Sequence, residues 1–207
     1  MKQFFILLVV LISLKANAQP FPANFDGKKW QAPYFLDTIE RGEIERFLIP
    51  ISFAPSIQYK GVEDIRFTPG WSRKEMNEYW GYAFLWYLDG NQKFDEKIFE
   101  KNLTAYYTGL AKVNVDTRKI SIDKLTAVNA SFVKRKTELQ DSETYEGVID
   151  IFDFILKTRI GLNFIIHVRH CKEQNKTFVF HEVSPKPFED DVWKELNGLW
   201  TSFRCVK

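Results

Sequence analysis

Residues 145–183 read YEGVIDIFDFILKTRIGLNFIIHVRHCKEQNKTFVFHEV. Apolar and polar residues run here at period two, rich in β-branched and aromatic side chains. Two polar breaks interrupt the run, at Lys157-Thr158 and Lys172-Glu173-Gln174-Asn175. The pattern predicts strands over Tyr145–Lys157, Arg159–His170 and Lys176–Val183. Connections this short demand antiparallel neighbours, because parallel strands need a long crossover. Val128–Thr137, set off by Asp141-Ser142-Glu143, adds a fourth strand. The second half of the chain therefore reads as an antiparallel meander.

After the meander, Pro185 and Pro187 stop the last strand, and Asp190 and Asp191 place negative charge at a helix N-terminus. Val192, Trp193, Leu196, Leu199, Trp200 and Phe203 then form a helical stripe that must lie on the sheet. Before the meander, two helices are expected. The first is signalled by a capping box, Ser72-Arg73-Lys74-Glu75, with Trp71 and Met76 at the staple positions, and runs to about Leu88. The second starts at an Asp95 N-cap with Phe94 and Phe99 as staple and ends near Lys112–Asn114. Asp89-Gly90-Asn91 between them suggests an αα-hairpin. Phe47–Phe53 and Val62–Thr68 read as strands, and Lys119–Ile122 as a short one. The fold class is α+β, an antiparallel meander sheet with an αα-hairpin before it and a C-terminal helix packed on it, helices on one face. In element order this resembles the helix-grip arrangement of lipid-binding START-like domains.

At the other end, Lys2, the apolar run Phe4–Leu14 and Ala16-Asn17-Ala18 read as a signal peptide over residues 1–18. An apolar run of about eleven residues is too short for a span, which needs roughly twenty. Residues 19–42 follow as an irregular arm packing through Phe25, Trp30, Tyr34 and Phe35, and residues 43–207 as a single α+β domain. Loss of the leader takes Lys plus Arg from 29 to 27, against 27 Asp plus Glu. A neutral chain argues against nucleic acid as a partner. The basic run Lys134-Arg135-Lys136 reads as a solvated strand face. The expected location is periplasmic or extracellular, with no transmembrane segment in the mature chain. In that oxidising setting Cys171 and Cys205 read as one disulfide.

Two segments carry a family resemblance. They are Lys60–Trp71 with Glu78–Trp86, and Asn175–Pro187 with His181-Glu182-Val183-Ser184-Pro185 at its centre. They are similar to a family of uncharacterised exported proteins from Gram-negative bacteria of the Bacteroidetes type. That resemblance implies export and a compact domain, and brings no activity, substrate or catalytic residue.

Candidate chemistry is sparse. The three histidines, His167, His170 and His181, lie on the last two strands. A register pairing Cys171 with Thr177 would set His167 opposite His181, two weak candidate metal ligands where catalytic zinc wants three. One residue of slip would separate them. Asp150 and Asp153 interrupt an apolar strand, with Arg159 and Arg169 as candidate partners. The chain has no G-x-S-x-G, G-x-G-x-x-G, P-loop or H-E-x-x-H. Cys171 beside His170 is no nucleophile–base pair, because adjacent strand residues face opposite ways. Asn102-Leu103-Thr104, Asn129-Ala130-Ser131 and Asn175-Lys176-Thr177 match a glycosylation pattern; in a bacterial protein they are chance matches.

What remains is an aromatic excess. Trp80, Tyr82 and Trp86, among Trp71, Tyr79 and Tyr87, are the candidate ligand-binding residues, rings that bury a face and keep a polar handle. No catalytic residue and no cofactor is assigned. The expectation is a non-enzymatic binding domain for an apolar ligand or a protein partner. The alternatives are an extracytoplasmic hydrolase using His167, His181 or Asp150, and a structural or envelope-interaction protein.

Overall fold

The computed structural model describes residues 25–137 and 140–206. The leader expected over 1–18 and the start of the arm lie outside them. The described chain is mixed α and β, with strands β1 (Tyr34–Phe35), β2 (Glu43–Ile49), β3 (Gly61–Phe67), β4 (Tyr82–Asp89), β5 (Asn129–Arg135), β6 (Glu143–Asp153), β7 (Thr158–Cys171), β8 (Lys176–Ser184) and β9 (Arg204–Cys205). Its helices are α1 (Glu96–Thr117) and α2 (Asp191–Ser202). Seven strands form one antiparallel sheet in the order β2-β3-β4-β8-β7-β6-β5, and β1 pairs with β9 apart from it.

The first expected helix is absent. Residues 71–80 are turns, and Tyr82–Asp89 is the strand β4. The helical spacing of Met76, Tyr79, Trp80, Ala83, Phe84 and Tyr87 competes with an unbroken apolar run, Tyr82 to Leu88. Such a run fits a strand buried on both faces, and periodicity alone cannot separate the two. Every residue from Tyr82 to Leu88 is in fact buried. Gly81 supports the break: a Cβ there would sit 2.8 Å from the Glu78 carbonyl oxygen. No αα-hairpin therefore precedes the later strands, and the helix-grip order does not hold. Lys119–Ile122 is likewise a turn leading into the 3-10 segment Ile122–Lys124.

The double burial of β4 also explains why the helices do not share a face. Tyr82, Phe84, Trp86 and Leu88 join a core with Phe99, Leu103, Tyr106 and Tyr107 of α1. Ala83, Leu85 and Tyr87 join a second core with Val192, Trp193, Leu196, Leu199 and Trp200 of α2. Side chains alternate across a strand, so the two helices cover opposite faces.

The helix caps follow the sequence signals. The Asp95 carboxylate accepts from the Ile98 amide at 2.7 Å, and Phe94 stacks on Phe99 at 5.0 Å. The Asp190 carboxylate accepts from the Val192 amide at 3.0 Å. Each cap satisfies a backbone donor that the helix leaves unpaired. Cys171 and Cys205 are bonded, with Cα atoms 6.3 Å apart, and tie β9 behind α2 to the end of β7. In the arm, Trp30 and Tyr34 pack on Tyr87, while Phe35 turns outward at 51% exposure. The Tyr34 hydroxyl donates to Asp64 at 3.0 Å. Asp64 is fully buried and also takes Arg46 at 2.9 Å and Arg66, so the arm is pinned to a neutralised carboxylate.

Candidate functional site

A cavity of about 220 Å³ lies on the α1 side of the sheet, at its β2–β4 end. Phe47 of β2, Ile65 and Phe67 of β3 and Tyr82 of β4 supply its floor. Tyr106 and Leu110 of α1 supply its roof, with Phe53 and Phe154 from connecting loops at its sides. Trp71 and Trp80 come from the β3–β4 connection. The neck of that loop is closed by a backbone bond, Trp80 N–H to the Trp71 carbonyl at 2.7 Å, and by the Thr68 side-chain hydroxyl donating to the Gly81 carbonyl at 2.7 Å. Trp80 adopts a left-handed backbone, φ 55°, a costly conformation for a bulky residue that the closed neck holds in place. This geometry sets Trp71 against Phe67 at 4.5 Å and Trp80 against Phe154 at 5.2 Å.

Gly109 lets the roof come down. A Cβ at this position would lie 1.8 Å from the Phe53 carbonyl oxygen. Its absence brings Phe53 edge-on to Tyr106 at 5.2 Å. The exposed lining residues, Glu45, Phe47 and Arg118, mark the mouth. The Arg118 guanidinium lies over the Phe154 ring at 5.2 Å, and Asn114 accepts from its Nε at 3.5 Å.

Polar groups lie beneath the rings. The Tyr106 hydroxyl donates to Glu63 at 2.8 Å and the Trp86 indole donates at 2.7 Å, and Glu63 is fully buried. Burial raises this carboxyl to about 7, against the lowering effect of its two donors. Tyr82 and Tyr107 share a hydrogen bond between hydroxyls. His181 stacks on Phe84 at 4.0 Å and donates from Nδ1 to the Phe84 carbonyl at 3.2 Å. Burial drives it down to about 3, so the ring is neutral.

Of the three aromatic candidates, Trp80 and Tyr82 line the cavity, and Trp86 sits deeper, against Glu63. The two metal candidates do not meet. The register pairs Cys171 with Lys176, one residue away from the pairing that would join them, so His167 faces Phe180 and His181 faces Ile166. They lie on opposite sheet faces. Asp150 points to solvent and pairs with Arg159 at 3.2 Å, while Asp153 is buried against Tyr79 at 2.6 Å. His167, His181 and Asp150 thus form no common site. His170 bonds Thr177 at 3.1 Å, away from the disulfide. Among the described residues, the one grouping with metal-ligand spacing is Cys171, Glu173 and Cys205, whose sulfurs are already joined.

On the α2 face the structure assembles a charge network from residues far apart in sequence. His167 meets Asp141 at 2.7 Å and Glu182 at 3.2 Å. Asp141 also accepts from Arg169 and from the Trp200 indole, both at 2.9 Å. Arg169 lies over the Trp200 ring at 4.2 Å, and Asn197 donates to Glu182 at 3.3 Å. Burial would lower His167, but its two carboxylate partners outweigh that and raise it to about 9. With these groups nearly sealed from solvent, the network locks α2 and the turn before β6 onto β7 rather than receiving a substrate. In the sequence Asp141 stood only as a turn residue, and Glu182 only as a doubtful third ligand beside His167 and His181, so neither pointed to this network.

No protein-family model matches the chain, and no curated protein matches it.

Proposed function

We propose that this chain is an exported, non-enzymatic binding domain that takes a small, largely apolar molecule into the cavity between α1 and the β2–β4 end of the sheet. The observation that carries this reading is the cavity itself. Aromatic rings from seven separate segments surround a space that side chains of a well-packed core would otherwise fill. An apolar cavity of about 150 Å³ is enough for benzene. A volume of about 220 Å³ suits a somewhat larger molecule, below the drug-sized range of roughly 300–1,000 Å³. Trp80 and Tyr82 would contact the ligand directly, with Trp86 holding the floor through Glu63. Export is supported by the leader-like N-terminus and by a disulfide of the kind that persists in oxidising compartments. No described helix is long and apolar enough to cross a membrane.

The test is a titration of the purified, oxidised protein with toluene and ethylbenzene, followed by the fluorescence of Trp71 and Trp80. Saturable quenching at millimolar or lower concentration is expected. Leu110→Trp, which fills the roof side of the cavity, should abolish it while leaving the melting temperature within a few degrees of the parent. No quenching by either compound, together with a strongly destabilised Leu110→Trp protein, would show a solid core and end this reading.

A further inference from the structure

The cavity mouth carries one acid and one base that nothing neutralises. Glu45 stands on β2 and Arg118 at the C-terminal end of α1, and both line the cavity. Neither makes an ion pair among the described residues, with each other or with any other group. The remaining acids nearby are already engaged: Glu63 by Tyr106 and Trp86, Asp153 by Tyr79. Burial and the neighbouring Glu43 raise the Glu45 carboxyl, so a cation beside it would relieve an existing strain. Deeper in the wall, Trp80 is 1% exposed, with its indole N–H set toward the Tyr79 hydroxyl.

Resting on the cavity reading above, we propose that the ligand is a small zwitterion with an apolar body, of the class of free α-amino acids with large apolar side chains. Its ammonium group meets Glu45, its carboxylate meets Arg118, and its side chain enters among Phe53, Ile65, Phe67 and Phe154. A purely anionic ligand would set a carboxylate near Glu45, and a purely cationic one would set an ammonium near Arg118. Each like-charge approach is penalised, so the two rim charges together select against singly charged analogues. A space of about 220 Å³ holds roughly seven waters at about 30 Å³ each, the scale of one such amino acid.

Calorimetric titration with four related compounds separates this inference from the reading beneath it. They are L-phenylalanine, 3-phenylpropanoate, 2-phenylethylamine and ethylbenzene, each added to the wild-type protein, Glu45→Gln and Arg118→Gln. Both substitutions are at exposed positions and should leave the circular dichroism spectrum unchanged. L-phenylalanine is expected to bind the wild type at least tenfold more tightly than the other three. Glu45→Gln should weaken L-phenylalanine and 2-phenylethylamine about tenfold, with no loss for 3-phenylpropanoate. Arg118→Gln should show the mirror pattern, and ethylbenzene should be indifferent to both. If ethylbenzene binds as tightly as L-phenylalanine and neither substitution matters, the cavity stands and the zwitterion is wrong. If none of the four binds, both fail.

Discussion

Two buried residues couple this protein's stability to pH in separate windows. Glu63 is raised to about 7 in the fold from an ordinary value of 4.5. A raised folded value favours the protonated state, so its contribution is complete below about pH 4.5 and is lost as pH rises through 7, on the order of 3 kcal/mol. Glu63→Gln keeps an acceptor for the Trp86 indole and an amide for the Tyr106 hydroxyl. Denaturant titrations between pH 4 and 8 should therefore show a flatter profile for this variant; an unchanged slope would mean Glu63 does not titrate there. His167 is raised to about 9 by Asp141 and Glu182 against the effect of burial. Its contribution is complete below about 6.5 and fades as pH rises through 9. His167→Gln should cost about 3–5 kcal/mol at pH 6, because, among the described residues, the buried Glu182 loses its only cation and Asp141 keeps only Arg169. The same variant should lose the alkaline decline between pH 7 and 9, which a purely steric defect would leave in place.

At the scale of elements, the short β1–β9 pair depends on the disulfide more than on its own hydrogen bonds. Two residues on each side cannot hold a ladder alone. Cys171 and Cys205 close a loop of 34 residues by sequence separation. Chain-entropy reasoning assigns such a closure about 4 kcal/mol. Cys205→Ser should lower the unfolding free energy by about 2–4 kcal/mol, and reduction of the wild type should lower it equally. A loss below about 1 kcal/mol in both would show that Tyr34, packed on Phe178 and Phe203, already holds the arm and the C-terminal segment together. The β3–β4 connection works differently. It is held by its backbone neck and by ring contacts, which is why a segment carrying a capping-box sequence can settle as turns.

Over the whole molecule, one sheet serves two cores, and β4 and β8 belong to both. Removing a side chain from either helix should then weaken the entire fold. Leu103→Ala in α1 and Leu196→Ala in α2, both fully buried, should each cost about 2–5 kcal/mol. Melting curves by far-ultraviolet circular dichroism and tryptophan fluorescence should coincide for both variants; two separated transitions would mean the α2 layer unfolds on its own. How much of this was legible in the sequence follows from range. Period-two runs located β5 through β8, and the Asp95 cap and the Asp190-Asp191 charge located both helix starts, because those signals rest on neighbours a few residues apart. The Cys171–Cys205 pairing followed from count and compartment. Trp80 and Tyr82 stood out as rings, though nothing local showed that they line a space with Glu45 and Arg118. Tertiary structure decided the rest. It made Tyr82–Asp89 a strand, because burial on both faces overrides a helical spacing. It set the β7–β8 register that separates His167 from His181, a choice a local pattern leaves open by one residue. It also gathered Asp141, His167, Glu182 and Trp200 across a sheet, since pairing of distant strands, not adjacency in the chain, determines which side chains meet.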